Sequence, residues 1–128
     1  MPSYNAPVRE LRFVLNELLA ITDCTEIPGY GDVSDDLIDA VLDGGAKVAE
    51  EIWAPLNQVG DEEGCRFENG VVRTPSGFKE AFDAWYDGGW NAISSSPEWG
   101  GQGLPGVLGL AIGEMAMSSN LSLSTYIG

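Results

Sequence analysis

Ser95 to Gly106 reads SSPEWGGQGLPG, and its glycines Gly101, Gly103 and Gly106 spell a literal G-x-G-x-x-G. Two readings compete for this stretch, and they imply different folds. A dinucleotide loop requires a strand before the first glycine, a helix opening within the motif and an acidic residue about 20 positions further on. Ser94-Ser95-Ser96-Pro97 is no strand, and Pro105 occupies one of the spacer positions. Glu114 comes too soon, nothing acidic follows it, and no strand–helix alternation surrounds the stretch. The phosphate cradle fails. What remains is a tight connector between helices, with Gly100 and Gly101 turning the chain beside Trp99 and Pro105 starting the next helix.

Downstream, Val107, Leu108, Leu110, Ile112, Met115 and Leu121 are separated by small residues, and Glu114 is the only charged side chain after Glu98. A helix apolar nearly all round is expected at the centre of a bundle. Gly109, Gly113, Glu114 and the polar run Ser118-Ser119-Asn120 argue against a membrane span. Upstream, Thr74-Pro75 predicts a helix start with Pro75 in the first helical position. Phe78, Phe82, Trp85 and Tyr86 then recur at helical spacing as a core stripe, which Gly88-Gly89 stops. Asn69-Gly70 between Phe67 and Val72 predicts one small two-stranded hairpin.

Earlier still, Ser34 is a good N-cap, with Asp35 and Asp36 in the first turn where the helix dipole favours negative charge. Ile38, Leu42, Ala49, Ile52 and Leu56 mark an apolar stripe, widened by Leu37, Val41 and Val48. Gly44-Gly45 costs such a helix about 1 kcal/mol per glycine, which close helix packing or a local kink would explain. Lys47 stands four residues from both Asp43 and Glu51, as on a solvated face. Pro55 is expected to end or bend this helix near Ala54. In the first thirty-odd residues, Pro7 opens an amphipathic helix with Val8, Leu11, Leu15 and Leu18 on one side. It ends in Thr22-Asp23-Cys24-Thr25, before the turn-rich Ile27-Pro28-Gly29-Tyr30-Gly31. The class is all-α: a bundle of about four to six helices, with room for that one hairpin.

Composition narrows the function classes. The 128 residues carry six Lys and Arg against 20 Asp and Glu, a formal net charge of −14 without any His. Such a balance repels nucleic acid and anionic membranes; it favours solubility and leaves room for a cationic or protein partner. Two cysteines, Cys24 and Cys65, without a signal-peptide pattern suit reduced thiols in the cytoplasm. Two Cys and no His do not make a zinc site, and Ser–His or Cys–His catalysis is excluded.

Ser96-Pro97-Glu98-Trp99-Gly100-Gly101-Gln102-Gly103-Leu104-Pro105 resembles the P-E-[YW]-G-G-x-G-L motif of the acyl-CoA dehydrogenase family, which joins two helices of its N-terminal helical domain. Ala54-Pro55-Leu56-Asn57-Gln58-Val59-Gly60-Asp61 resembles the family's A-P-x-x-x-x-x-D segment, and Gly113-Glu114-Met115-Ala116 its E-[EI]-[LM]-A helix. The opening from Pro2 to Glu17 is similar to the short N-terminal extension of the subgroup that includes 3-methylmercaptopropionyl-CoA dehydrogenase. The resemblance spans essentially the whole chain and divides it into an extension with one helix, 1–33, and an incomplete N-terminal helical domain, 34–128.

The resemblance implies an FAD enzyme that introduces an α,β double bond into an acyl-CoA thioester, with a carboxylate base and hydride transfer to the flavin. In the family a middle β-domain and a C-terminal bundle supply most flavin contacts, and the bundle supplies the base. Neither is expected within these residues, so this segment alone should bind no FAD and hold no catalytic residue. Glu114 reads as a buried acid whose pKa burial would raise, yet its match is to a structural position. The substrate-binding residues implied by position are Leu123, Ser124 and Ile127, in one wall of the acyl pocket; ordinary packing is the competing role. The implied partners are acyl-CoA and the remaining enzyme domains, in a homo-oligomer. The rival to this reading is a free-standing acidic helical module that binds another protein.

Overall fold

The computed structural model describes residues 3–127. The chain is mostly helical, with one small antiparallel hairpin. Helix α1, Val8–Phe13, passes directly into a wider π-helical segment, Val14–Leu18. Leu15 and Ile21, with Val33 beyond them, are buried in the same core as the later helices. Arg12 pairs with Asp39 and Asp43, Tyr4 and Ser118 share a hydroxyl hydrogen bond of 2.7 Å, and the Ala6 amide donates to the Glu50 carboxylate at 2.7 Å. These bonds lash the amino-terminal segment across the helices behind it.

Ser34 caps α2, Asp35–Val48, its hydroxyl accepting the Leu37 amide at 3.2 Å. The double glycine is a packing device. A Cβ on Gly44 would lie 2.8 Å from the Trp90 ring, and one on Gly45 would run into Ile112. Lys47 takes neither Asp43 nor Glu51 within ion-pair distance; Asp43 goes to Arg12 instead. Nor does Pro55 end the helix. Ala49–Trp53 widens into a π-turn in which the Ala54 amide reaches back five residues to the Ala49 carbonyl. The wider turn accommodates a proline that lacks an N–H, and α3, Ala54–Glu63, runs on to Gly64.

Strands β1, Arg66–Glu68, and β2, Val71–Arg73, follow as the expected hairpin. Asn69 and Gly70, both at positive φ, form its turn. Helix α4, Phe78–Asp87, begins three residues later than Pro75 suggests, because Gly77 at φ 81° re-aims the chain first. Only part of its aromatic stripe is core. Phe78 and Trp85 are buried, whereas Phe82 is half-buried and stacks on the exposed Tyr86.

The opening stretch forms one 3-10 turn, Pro97–Trp99, and a glycine loop leading into α5, Gly106–Ser119. Trp53, Leu42, Ile112 and Met115 meet at the centre of the core, where α5 crosses α2. One expectation fails for α5. Its apolar surface is not covered all round: Leu110 is 75% and Met117 55% exposed, and Glu114 is exposed between them. Asn120 then breaks the helix in an extended conformation, and a short α6, Leu121–Ser124, turns back across α3.

Candidate functional site

The glycine loop spends its own donors. The Gly101 amide bonds to the Ser96 carbonyl at 3.0 Å, Gln102 to Ala92 at 3.0 Å, Gly103 to Ser95 at 2.9 Å and Leu104 to Ile93 at 3.0 Å. The Gln102 side-chain amide donates to the Gly89 carbonyl at 3.1 Å. A phosphate cradle needs several such N–H groups converging on open space; here they close the loop on the preceding turn. A groove of about 500 Å³ separates this loop from the Ile27–Gly31 turn. It carries Glu26 and Asp32 rather than any cation, so an anionic diphosphate finds no partner there.

The apolar site lies elsewhere, between α4 and α6. Thr74, Phe78, Lys79, Phe82, Leu123 and Tyr126 enclose about 230 Å³. Helical spacing puts Phe78 and Phe82 on one face of α4, and α6 presents Leu123 to them. Tyr126 closes the end, edge-on to Phe78 with ring centroids 5.9 Å apart. Its hydroxyl lies 3.2 Å from the Cys65 Sγ. That hydrogen bond first, and then partial desolvation, push the Tyr126 phenol above its ordinary value. At the rim the Lys79 ammonium is paired with Asp83 one turn on, which raises its pKa. The result is an apolar slot with a neutralised rim, suited to a hydrocarbon surface and not to an anion.

Of the residues proposed from sequence, Leu123 is 1% exposed and lines this slot. Ser124 is half-buried beside it and turns its hydroxyl back to the Leu121 carbonyl at 2.6 Å. Ile127 packs against the core edge. Glu114 is not the buried acid expected of it; it stands exposed on the uncovered face of α5.

Two residues that sequence reasoning did not single out organise the site. Tyr126 had no local signal, since its partners Phe78 and Cys65 are distant in sequence. Asn120 did have one, being a cap-forming residue directly before an apolar turn. It is 1% exposed, accepts the Leu123 amide and the Ser122 hydroxyl, each at 3.0 Å, and donates to the Trp53 carbonyl.

Among the described residues no group of three or more Cys, Asp or Glu converges as metal ligands would, and no helix is long and apolar enough to cross a membrane. No protein-family model matches the chain. It is similar to three curated proteins. Over 94% of its length it is 38% identical to 3-methylmercaptopropionyl-CoA dehydrogenase of Ruegeria pomeroyi, covering 20% of that protein. Over 68% it is 32% identical to butyryl-CoA dehydrogenase of Syntrophomonas wolfei, covering 15%. Over its whole length it is 26% identical to a broad-specificity linear acyl-CoA dehydrogenase of Mycobacterium tuberculosis, covering 21%. The chain therefore spans about a fifth or less of the length of these relatives.

Proposed function

This chain is homologous to acyl-CoA dehydrogenases, and on that premise we propose that it is the N-terminal portion of such an enzyme, forming one wall of the acyl pocket. The complete enzyme carries FAD, acts on an acyl-CoA thioester in the α,β-dehydrogenation of fatty acid metabolism, and works in the cytoplasm as a homo-oligomer. Leu123, Ser124 and Ile127 belong to the wall, with Leu123 presented to the slot by α6.

One structural observation carries the reading. Leu110 and Met117 of α5 and Leu121 of α6 leave large apolar side chains in solvent, and several large apolar side chains exposed on neighbouring elements point to a face that other protein covers. The remaining domains of the enzyme are that cover. We assign the flavin to them, because this chain's loop amides are internally bonded and the groove beside that loop carries Glu26 and Asp32. What this segment does is exclude water and present hydrocarbon to the acyl chain. The rival, a free-standing acidic module, draws support from the single closed core around Trp53 and Met115.

A segment exchange separates the two. The chain replaces the corresponding residues of the Ruegeria pomeroyi relative, and the chimera is assayed for bound flavin and for acyl-CoA oxidation. The expected result is a yellow, active chimera, with neither property in the 128-residue chain alone. A chimera that folds and holds flavin but oxidises no acyl-CoA, or dehydrogenation by the chain by itself, overturns the proposal.

A further inference from the structure

The hairpin stands out from everything packed around it. Every residue of both strands is exposed, including Phe67 at 75% and its cross-strand partner Val72 at 63%. A lone two-stranded hairpin is marginal in water, and it leaves an unpaired edge on each side. The register pairs Phe67 with Val72 and Glu68 with Val71 across a two-residue turn. Glu68 and Val71, flanking that turn, form the hydrogen-bonded pair, so the next pair alternates and the Phe67 N–H and C=O point to the free edge of β1.

The charges on that edge are self-complementary. Written against itself antiparallel and centred on Phe67, the strand Arg66-Phe67-Glu68 places Arg66 opposite Glu68 twice and Phe67 opposite Phe67. Centring β2 on Val72 offers nothing similar, because Arg73 would face Val71. Within its own hairpin Arg66 stands opposite Arg73, a like-charge pair that costs stability. Its contact with Glu68 on the same strand is long, at 4.0 Å. Both groups are left available to a second strand.

We propose that β1 pairs with β1 of a second copy of this chain across a two-fold axis at Phe67, joining two hairpins into a four-stranded antiparallel sheet. Phe67 and Phe67 of the partner copy exchange both main-chain hydrogen bonds on the axis. Phe67 and Val72 of both copies gather on one face, and two Arg66–Glu68 pairs close the other. An isologous contact of this kind is the simplest route to a symmetric dimer. It rests on the hairpin alone and is independent of the enzymatic reading.

Sedimentation equilibrium on the 128-residue chain tests it, with far-UV circular dichroism confirming that each exposed-hairpin variant stays folded. The chain should dimerise with concentration at moderate salt, where the mutual repulsion of two copies of net charge −14 is screened. Arg66→Glu or Glu68→Arg alone sets like charges opposite each other twice and should weaken the dimer roughly tenfold or more. The double variant Arg66→Glu/Glu68→Arg restores opposite charges and should dimerise again. A chain that is monomeric at every concentration overturns the proposal and leaves the face to the rest of a longer chain. A dimer indifferent to the single reversals, or not rescued by the double one, overturns it too and moves the contact elsewhere, the Leu110–Met117 face being next.

Discussion

The Asn120 side-chain amide donates to the main-chain carbonyl of Trp53 at 3.1 Å, joining positions 67 apart in sequence in the middle of the core. Trp53 closes the π-turn that admits Pro55, and Asn120 opens α6, so one bond ties the irregular part of the long helix to the element presenting Leu123. Because the Asn120 Oδ1 also accepts the Leu123 amide at 3.0 Å, the position of the slot's floor depends on a single buried polar side chain.

Asn120→Ala removes both the cap and the cross-link. It leaves the Leu123 amide without its partner and strips Trp53 of the side-chain donor, in a site closed to water. The expected loss is about 2 to 3 kcal/mol, combining an N-cap with an abandoned buried donor. Urea denaturation followed by circular dichroism measures it. A loss below about 0.5 kcal/mol, the range of ordinary surface changes, would show that the bond organises nothing.

Two helical glycines should respond in opposite directions. Gly45→Ala adds a methyl where Ile112 already sits, with Met115 Sδ 3.5 Å away. Overpacking of about 1 to 3 kcal/mol outweighs the gain in helix propensity. Gly113→Ala meets only the flexible end of Met117, 3.9 Å away, so the propensity gain of about 1 kcal/mol stands alone. Thermal melts of the two variants should move to either side of the parent.

Glu63 supplies the pH dependence that this structure makes specific. Its carboxylate accepts the Ser76 amide at 2.8 Å, across the base of the hairpin. That main-chain bond first, then the Ser76 side chain, holds the group below its ordinary value of 4.5. A depressed folded value means the charged form is the one folding favours. The contribution is therefore complete above the unfolded pKa and is lost as the pH falls through the folded one. A carboxyl-resolved NMR titration should find the Glu63 midpoint below 4.5, and Ser76→Ala should move it partway up. A midpoint at or above that of the ordinary glutamates would remove this contact from solution.

What could be read from sequence was whatever chemistry is local. Ser34 as a cap, Asn69-Gly70 as a hairpin turn and the failure of the nucleotide motif each depend on residues within a few positions. Where the outcome is set by distant partners, the pattern misled. Helix α5 is apolar nearly all round, so it has no periodicity to say which face is covered, and the pattern alone puts Glu114 inside. Pro55 signals either an end or a bend without saying which, and the helix instead widens locally in the π-turn at Ala49–Trp53 and runs on. The slot joins α4, α6 and Tyr126 across dozens of residues. Family resemblance points to its Leu123, and nothing local points to its Tyr126.

The connector itself gives the sharpest test of a local reading. Gly100 and Gly101 are neighbours with different duties. Gly100 sits at φ 82° with nothing within 4 Å of where a Cβ would be, so Gly100→Ala costs only the left-handed backbone, about 1 to 2 kcal/mol. Gly101 has no such φ, but a Cβ there would strike the Ser95 main-chain carbonyl. That oxygen is held by the Gly103 amide at 2.9 Å, and a main-chain atom cannot rotate aside. Gly101→Ala must therefore pull apart the bonds that close the loop, including those from Gln102 to Ala92 and from Leu104 to Ile93. It should cost more than Gly100→Ala and speed hydrogen exchange at Gly101, Gln102 and Gly103 together. Equal effects from the two substitutions would mean that the loop is held by its conformation and not by its contact with Ser95.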